Sequence, residues 1–411
     1  MALLLSIDEP PKSSAAAPSV EAFLEMGFRP VYLAGALWAL LAVAVWIFAP
    51  QLPGGTLGGL AWHAHEMLWG FVATIAVGFL MTAGGAWTGI NPLAGRALAV
   101  LCLLWALARV AFLLPGDAAF LAGALAEGGF FALAAAALGR SVLLSRNTRN
   151  YAVPLMLLGL GLTDLLFLLA TRAGDYGALM RHFNAGLLVM TLLTLLVARR
   201  VIPFFAMRAV PGLAVPAHLQ SGMAQLIASA VAVLCLFAGW ATALAAALTV
   251  AGGIALLQWA SWKPWRVLHK PLLWILYVGY AALGIGLLLA AAHAAGAGTP
   301  AALHVHVIAM GGFSVLIIGM ITRTALGHLG RPLDTDRSMV TAYGLVIAAT
   351  VLRLAALHPS PASVHLLHGA AGLWALAFAL YLWRFFPMMI RPRPDRAGPA
   401  AQPVSITPRR G

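Results

Sequence analysis

Charged residues are scarce in this sequence. Asp, Glu, Lys and Arg make up 9% of its 411 residues, whereas 62% are hydrophobic. Soluble domains carry about 25% charged and about half apolar residues, so the composition excludes a soluble domain of useful size. Apolar runs of about 18 or more residues recur along the chain, and each can cross a bilayer as a helix. The sequence therefore predicts an all-α, polytopic integral membrane protein.

Cysteine is nearly absent as well. Cys102 and Cys235 are the two cysteines of the chain, and both lie within apolar runs. A disulfide framework is therefore excluded, and the lack of a C-x-x-C-H motif excludes covalently attached haem. The first 30 residues form a polar leader without the short apolar core of a cleaved signal peptide.

Acidic residues are also few, since 12 Asp and Glu stand against 25 Lys and Arg, for a net charge of +13. A nucleic-acid-binding protein would gather its cations on one face or stripe. Here the cations fall in the gaps between apolar runs, where membrane proteins keep their cytoplasmic positive charges. The expected partner is therefore the lipid bilayer and not nucleic acid.

We predict twelve spans in one transmembrane domain over residues 28–390, between disordered tails at 1–27 and 391–411. The loops after even-numbered spans, with the tails, hold most of the Lys and Arg, which predicts that both termini are cytoplasmic. No internal repeat is evident in the sequence. The predicted spans are 31–49, 63–86, 94–114, 118–139, 152–171, 180–198, 221–240, 243–261, 271–293, 301–321, 339–357 and 365–387.

In this topology, nine of the twelve histidines lie in the outer part of the membrane. Neutral imidazole is the commonest metal ligand in proteins, and ionisable groups inside a membrane are costly unless they serve a function. We assign His293, His358 and His365 to the membrane interface. The candidate metal ligands are His63, His65, His182, His304, His306 and His368.

Two H-x-H pairs carry the strongest signal. His63 and His65 open span 2, and His304 and His306 lie in the first turns of span 10. Helical residues i and i+2 point about 200° apart, so neither pair can bind one ion from one face of a regular helix. Each pair can instead present one imidazole to each of two adjacent centres. The sequence therefore predicts that the pairs meet and hold a metal or haem layer near the outer face.

Five further charged residues inside predicted spans are functional candidates. Arg109 and Arg353 are candidate anchors for the propionates of a haem, because Arg binds carboxylates bidentately; the alternative is that both reach the outer headgroups. Glu66 is the best candidate for a proton path. Glu127 and Asp164 are candidates for the same path or for holding a ligand histidine in place.

Five sequence blocks resemble the NnrS family, over nearly the whole chain from about residue 28 to 398. They are "WHAHEMLWGF" from 62, "RVIPFF" from 200, "ALHVHVIAMGG" from 302, "TRTALGHLGRPL" from 322 and "PRPDRAG" from 392. The resemblance implies a twelve-span protein of the bacterial inner membrane that contains haem and copper and acts in nitric oxide metabolism and nitrosative stress. The haem would be b-type, bound without a covalent link. The residues carried over are His63, His65, His304, His306, Glu66 and His328.

Three functions stay open at this point. A weaker likeness to haem-copper oxidases and nitric oxide reductases implies an oxidoreductase that acts on nitric oxide, with an unidentified electron donor. A transporter or metal exporter would place polar residues near the midplane and is commonly built from repeats. A non-catalytic haem or nitric oxide sensor, or an assembly factor, would use the basic segment "TRTALGHLGRPLDTDR" as its output surface.

Overall fold

Residues 17–394 are described by the computed structural model, and within them every regular element is helical. Eleven helices are long and apolar enough to cross a membrane, and α3 has 17 residues. The predicted all-α, multi-pass membrane class is confirmed. The helices are α1 (Phe28–Phe48), α2 (Gly59–Thr88), α3 (Gly95–Ala111), α4 (Asp117–Leu144), α5 (Thr148–Ala173), α6 (Tyr176–Ala209), α7 (Leu219–Ala238), α8 (Ala241–Ser261), α9 (Pro271–Ala294), α10 (Ala301–His328), α11 (Arg337–Ala355) and α12 (Ser363–Met389).

The two ends of the described chain lie together. The Ser19 backbone N–H donates to the Ile390 carbonyl at 2.8 Å. Arg29 is fully buried, and its guanidinium donates to the carbonyls of Met389 (3.0 Å) and Arg391 (2.7 Å). We call the side of the bundle on which these residues lie the tail face.

The predicted tails lie largely outside the described residues, which leave out 1–16 and 395–411. Residues 17–27 fall in the predicted disordered tail, yet they include a helical turn at Val20–Phe23. The Ser19 hydroxyl oxygen caps this turn by accepting from the Ala22 N–H at 3.3 Å, as serine does at many helix starts. Regular structure is therefore present ahead of the first apolar run.

Several helices run past the predicted spans. The largest difference is in α6, which continues from the predicted end at 198 through Pro203 to Ala209. The prediction followed the apolar run, and that run stops at the bilayer edge. A helix satisfies its own backbone hydrogen bonds in water as well as in lipid, so it need not stop there.

Helices α1–α4 and α9–α12 repeat the same close contacts. Gly78 of α2 packs on Val31 of α1, and Gly319 of α10 packs on Ile275 of α9. A Cβ at Gly78 would lie 2.9 Å from the Val31 side chain, and one at Gly319 would lie 2.6 Å from that of Ile275. In the sequence, Gly319 lies 241 residues after Gly78, and Ile275 lies 244 residues after Val31. No repeat is evident in the sequence, but these contacts relate the two ends of the bundle, and we call α1–α4 and α9–α12 the two repeats.

The repeat extends to the irregular part of α2 and α10. Each helix contains an eight-residue π-helical segment, at Glu66–Ala73 and Val307–Ser314, directly after its H-x-H pair. Helices of this kind are rare and are frequent at functional sites. Both segments widen the helix next to the histidines. The residues that follow each pair therefore face different neighbours from those they would face on a regular α-helix.

Candidate functional site

A cavity of about 280 Å³ lies between the two repeats, on the side of the bundle away from the tail face. His63 of α2, His306 of α10 and Arg353 of α11 line it, together with Met67 and Met310. Most of its remaining wall is apolar and comes from α1, α6 and α12. The structure thus brings one histidine from each H-x-H pair to a shared space, which we call the histidine cavity.

Both histidines of this cavity keep a ring nitrogen without a protein partner. The His63 ring stacks on Trp46 with ring centroids 4.8 Å apart, and its Nδ1 is buried without a hydrogen bond. The His306 Nδ1 lies 2.7 Å from the Ala302 carbonyl. A carbonyl only accepts, so Nδ1 carries the proton of a neutral imidazole and Nε2 keeps its lone pair. This is the state in which imidazole binds a metal.

The other histidine of the first pair points into a different environment. His65, Glu66, Arg109, Glu127 and Asp164 form a cluster in which each residue is at most 2% exposed. The His65 Nδ1 lies 3.0 Å from a Glu66 oxygen, and Nε2 lies 2.9 Å from Asp164 and 3.3 Å from Glu127. Arg109 forms ion pairs with Glu66 and Glu127. This polar cluster joins α2, α3, α4 and α5.

The polar cluster carries more negative than positive groups. It contains three carboxyl groups against one guanidinium and one imidazole, so one negative charge is in excess even when the imidazole is protonated. An uncompensated buried charge is strongly destabilising, and the cluster must therefore hold an additional proton or a cation. Ligand atoms of His65, Glu127 and Asp164 lie within 4.8 Å of one another, which is close enough for a metal ion.

The contacts of His65 favour a proton over a metal ion. Both of its ring nitrogens face carboxylate oxygens at hydrogen-bond distance, and both can donate only in the imidazolium form. A metal ligand would need one nitrogen free of a proton. The fully buried Glu66 oxygen also accepts from the Trp38 Nε1–H at 2.6 Å.

The polar cluster belongs to the first repeat alone. Gly70 makes room for it, because a Cβ there would lie 2.6 Å from a Glu66 oxygen and would also touch Arg109. At the corresponding place in the second repeat, 241 residues later, Gly311 faces Thr350. The repeats therefore share a backbone arrangement and differ in the chemistry they place at it.

Besides His65, which lies in the polar cluster, three predicted ligands do not line the histidine cavity. His304 packs against His293 with ring centroids 5.0 Å apart. His182 packs near Phe237 at 5.9 Å, and His368 is exposed. The i and i+2 histidines of each pair do point to different surroundings, as helix geometry predicts. Metal binding by these three residues stays a prediction.

The two arginines proposed as propionate anchors have different surroundings. Arg353 lines the histidine cavity. Arg109 is paired with two carboxylates of the protein itself, so its guanidinium is not free to bind a propionate. The sequence prediction for Arg109 placed a charge at the right depth but could not show that two neighbouring helices already supply its partners.

The histidine cavity fits a metal ion better than a haem. Imidazole suits copper, and thioether sulfur selects its reduced form, so His63, His306 and the two methionines offer a suitable donor set. Ligand pockets for drug-sized molecules measure roughly 300–1,000 Å³, whereas this cavity measures about 280 Å³. This volume lies just below that range, and it has room for an ion with a diatomic ligand.

A family model described as NnrS protein matches residues 22–393, nearly the whole chain. The matched range contains both repeats, the histidine cavity and the polar cluster. It confirms the family indicated by the sequence blocks. No curated protein matches the chain.

Proposed function

The chain belongs to the NnrS family, and we propose that it is a copper-binding protein of the bacterial inner membrane that binds nitric oxide in the nitric oxide response. Copper would be held by His63 and His306. The observation that carries this proposal is the meeting of these two imidazoles in one cavity, each with a ring nitrogen that has no protein partner.

We place the histidine cavity near the periplasmic surface. The two chain ends share the tail face, since Ser19 bonds to Ile390, and an even number of crossings is needed to bring them there. Eleven helices have the required length, so we count α3 as the twelfth crossing. The tail face carries the basic loops and is therefore cytoplasmic by the positive-inside rule.

The chain's own residues would hold and surround the ligand. The neutral imidazoles of His63 and His306 bind the metal, and the sulfurs of Met67 and Met310 favour its reduced state. When bound, copper supplies a site for nitric oxide and for one-electron transfer. The apolar wall admits an uncharged diatomic molecule, and the Arg353 guanidinium stabilises negative charge that develops on it.

The polar cluster would serve as a proton reserve. Reduction of two nitric oxide molecules to nitrous oxide and water consumes two protons and two electrons, and the electrons must come from an external donor. Glu66 lies one residue from His65 and three from His63, so the cluster adjoins the first turn that lines the cavity. Its surplus carboxylate can keep a proton inside the bilayer. Turnover would depend on this reserve, whereas copper binding would not.

The family resemblance also implies haem, which we do not place in the histidine cavity because its volume of about 280 Å³ lies just below the range of small-molecule pockets. Arg109, one of the two proposed propionate anchors, is paired with Glu66 and Glu127. We therefore assign His63 and His306 to copper alone.

A copper exporter is the second candidate function. The observation that favours it is the structural repeat, because parallel repeats with a site at their interface are a common transporter architecture. The two functions differ in the fate of the metal. A nitric oxide-binding protein keeps its copper, whereas an exporter releases it across the bilayer.

The deciding experiment uses the full chain in proteoliposomes, with Cu(I) supplied from outside. A nitric oxide electrode would record uptake of the gas, and a copper-selective dye in the lumen would record transport. We expect copper-dependent nitric oxide binding that is lost in His306→Ala and kept in His368→Ala, without copper movement. Copper movement without nitric oxide binding would assign the protein to export.

A further inference from the structure

A second and larger cavity, of about 1070 Å³, opens on the tail face. It lies where α2, α6 and α10 end, next to the loops after α4 and α8. No Asp or Glu is among its lining residues. Five permanently charged cations line it: Arg149, Arg200, Arg208, Lys270 and Arg323.

Arg323 shows that this charge is not a simple surface feature. The residue is 8% exposed, and its guanidinium lies 3.8 Å from the centroid of the Phe205 ring. Among residues 17–394, no carboxylate lies within ion-pair distance of it. The positive-inside rule explains exposed cations in loops, but it does not explain a buried guanidinium without an anion, which is destabilising.

Arg200 is held in place by neutral groups. Its guanidinium donates to the Asn150 side-chain oxygen at 2.9 Å and to the Arg149 carbonyl at 3.3 Å. Asn150 is itself buried, and the neighbouring Asn147 side chain donates to the Trp87 carbonyl at 2.9 Å. These contacts fix the guanidinium at the cavity wall without neutralising its charge.

We propose that this tail-face cavity binds a multiply charged, phosphate-bearing anion. Guanidinium groups bind phosphate bidentately, and five cations exceed what a dicarboxylate can neutralise. The volume of about 1070 Å³ lies just above the roughly 300–1,000 Å³ range of small-molecule pockets. The phosphate can come from a soluble polyphosphate or nucleotide, or from the headgroup of an anionic lipid in the adjacent leaflet. The proposal does not depend on copper in the histidine cavity.

The test measures binding of sodium tripolyphosphate to the full chain in phosphatidylcholine nanodiscs by titration calorimetry. We expect one saturable site, with affinity at least tenfold weaker in Arg200→Gln and Arg323→Gln. Arg208→Gln changes an exposed lining residue, and it keeps the test valid if substitution of the buried Arg323 impairs folding. Arg266→Gln, an exposed cation that does not line the cavity, is the matched control and should bind like the wild type.

A second arm distinguishes the two sources of phosphate. If phosphatidylglycerol in the nanodisc abolishes tripolyphosphate binding, and native mass spectrometry finds this lipid on the wild type but not on Arg208→Gln, the ligand is a lipid headgroup. If tripolyphosphate binds equally in both nanodiscs, the ligand is a soluble anion. Equal affinity of the wild type and all three cavity variants would overturn the proposal.

Discussion

His63 and His306 lie on the wall of one cavity, although 243 residues separate them in the chain. Each belongs to an H-x-H pair at the start of a long helix, and each helix is the second of its four-helix repeat. The pair therefore sits where the two repeats meet. Sites built at such an interface draw ligands from both sides, which is how one residue from each helix can face a shared metal ion.

The two histidines of the second pair should differ in their effect on copper binding. His304→Ala should leave copper content unchanged, because the ring of His304 packs on His293 outside the cavity lining. His306→Ala, two residues away, should remove a ligand. Metal analysis of the two purified variants provides the comparison. Copper loss in His304→Ala with full retention in His306→Ala would show that the wrong histidine has been assigned.

The buried ion pairs of Arg109 should contribute strongly to stability. Arg109→Gln leaves the carboxylates of Glu66 and Glu127 without their cation, and removal of one partner of a buried pair costs about 3–5 kcal/mol. The matched control is Arg172→Gln, which breaks an exposed pair with Asp117 (2.6 Å) and should cost at most about 1 kcal/mol. Thermal unfolding in the same detergent measures both. Similar melting temperatures for the two variants would contradict the arrangement described.

Gly70 should tolerate no side chain. Gly70→Ala places a Cβ 2.6 Å from a Glu66 oxygen, and overpacking of this kind costs about 1–3 kcal/mol. Gly128→Ala is the control within the membrane, since nothing lies within 4 Å of a Cβ at that position; there alanine should be neutral or stabilising by up to about 1 kcal/mol. The two melting temperatures should move apart. A Gly70→Ala protein as stable as Gly128→Ala would mean that the cluster is looser than described.

The proton reserve predicts a separation between binding and turnover. Asp164→Asn keeps the shape of the side chain but removes one of the carboxyl groups that face His65. Copper content and nitric oxide binding should stay at wild-type levels, whereas nitrous oxide production with an artificial electron donor should fall by tenfold or more. Gas chromatography of the headspace measures the product. Loss of copper in Asp164→Asn would instead assign a metal ion to the polar cluster.

The membrane class and the helices could be predicted because a bilayer demands long apolar runs, and such runs are visible in any sequence. The two H-x-H pairs were equally visible, and helix geometry correctly predicted that their members diverge. The repeat was not visible, because its equivalent contacts, such as Val31 with Gly78 and Ile275 with Gly319, use different apolar side chains.

Partners across helices could not be predicted either. The sequence places Asp164 and Arg109 inside the membrane but does not show which helices pack side by side. The structure gives both to the cluster around His65 and Glu66, where Arg109 already has carboxylate partners within the protein. The stacking of Trp46 on His63 also depends on packing between α1 and α2, and no pattern in the sequence signals it.

The central claim concerns copper held jointly by the two repeats, and metal content tests it most directly. The full-length protein would be loaded with Cu(I), separated from free metal and analysed by inductively coupled plasma mass spectrometry, alongside His63→Ala, His306→Ala and the exposed control His368→Ala. We expect stoichiometric copper in the wild type and the control, and at least tenfold less copper in each of the other two. Copper retained equally by all four proteins would contradict it.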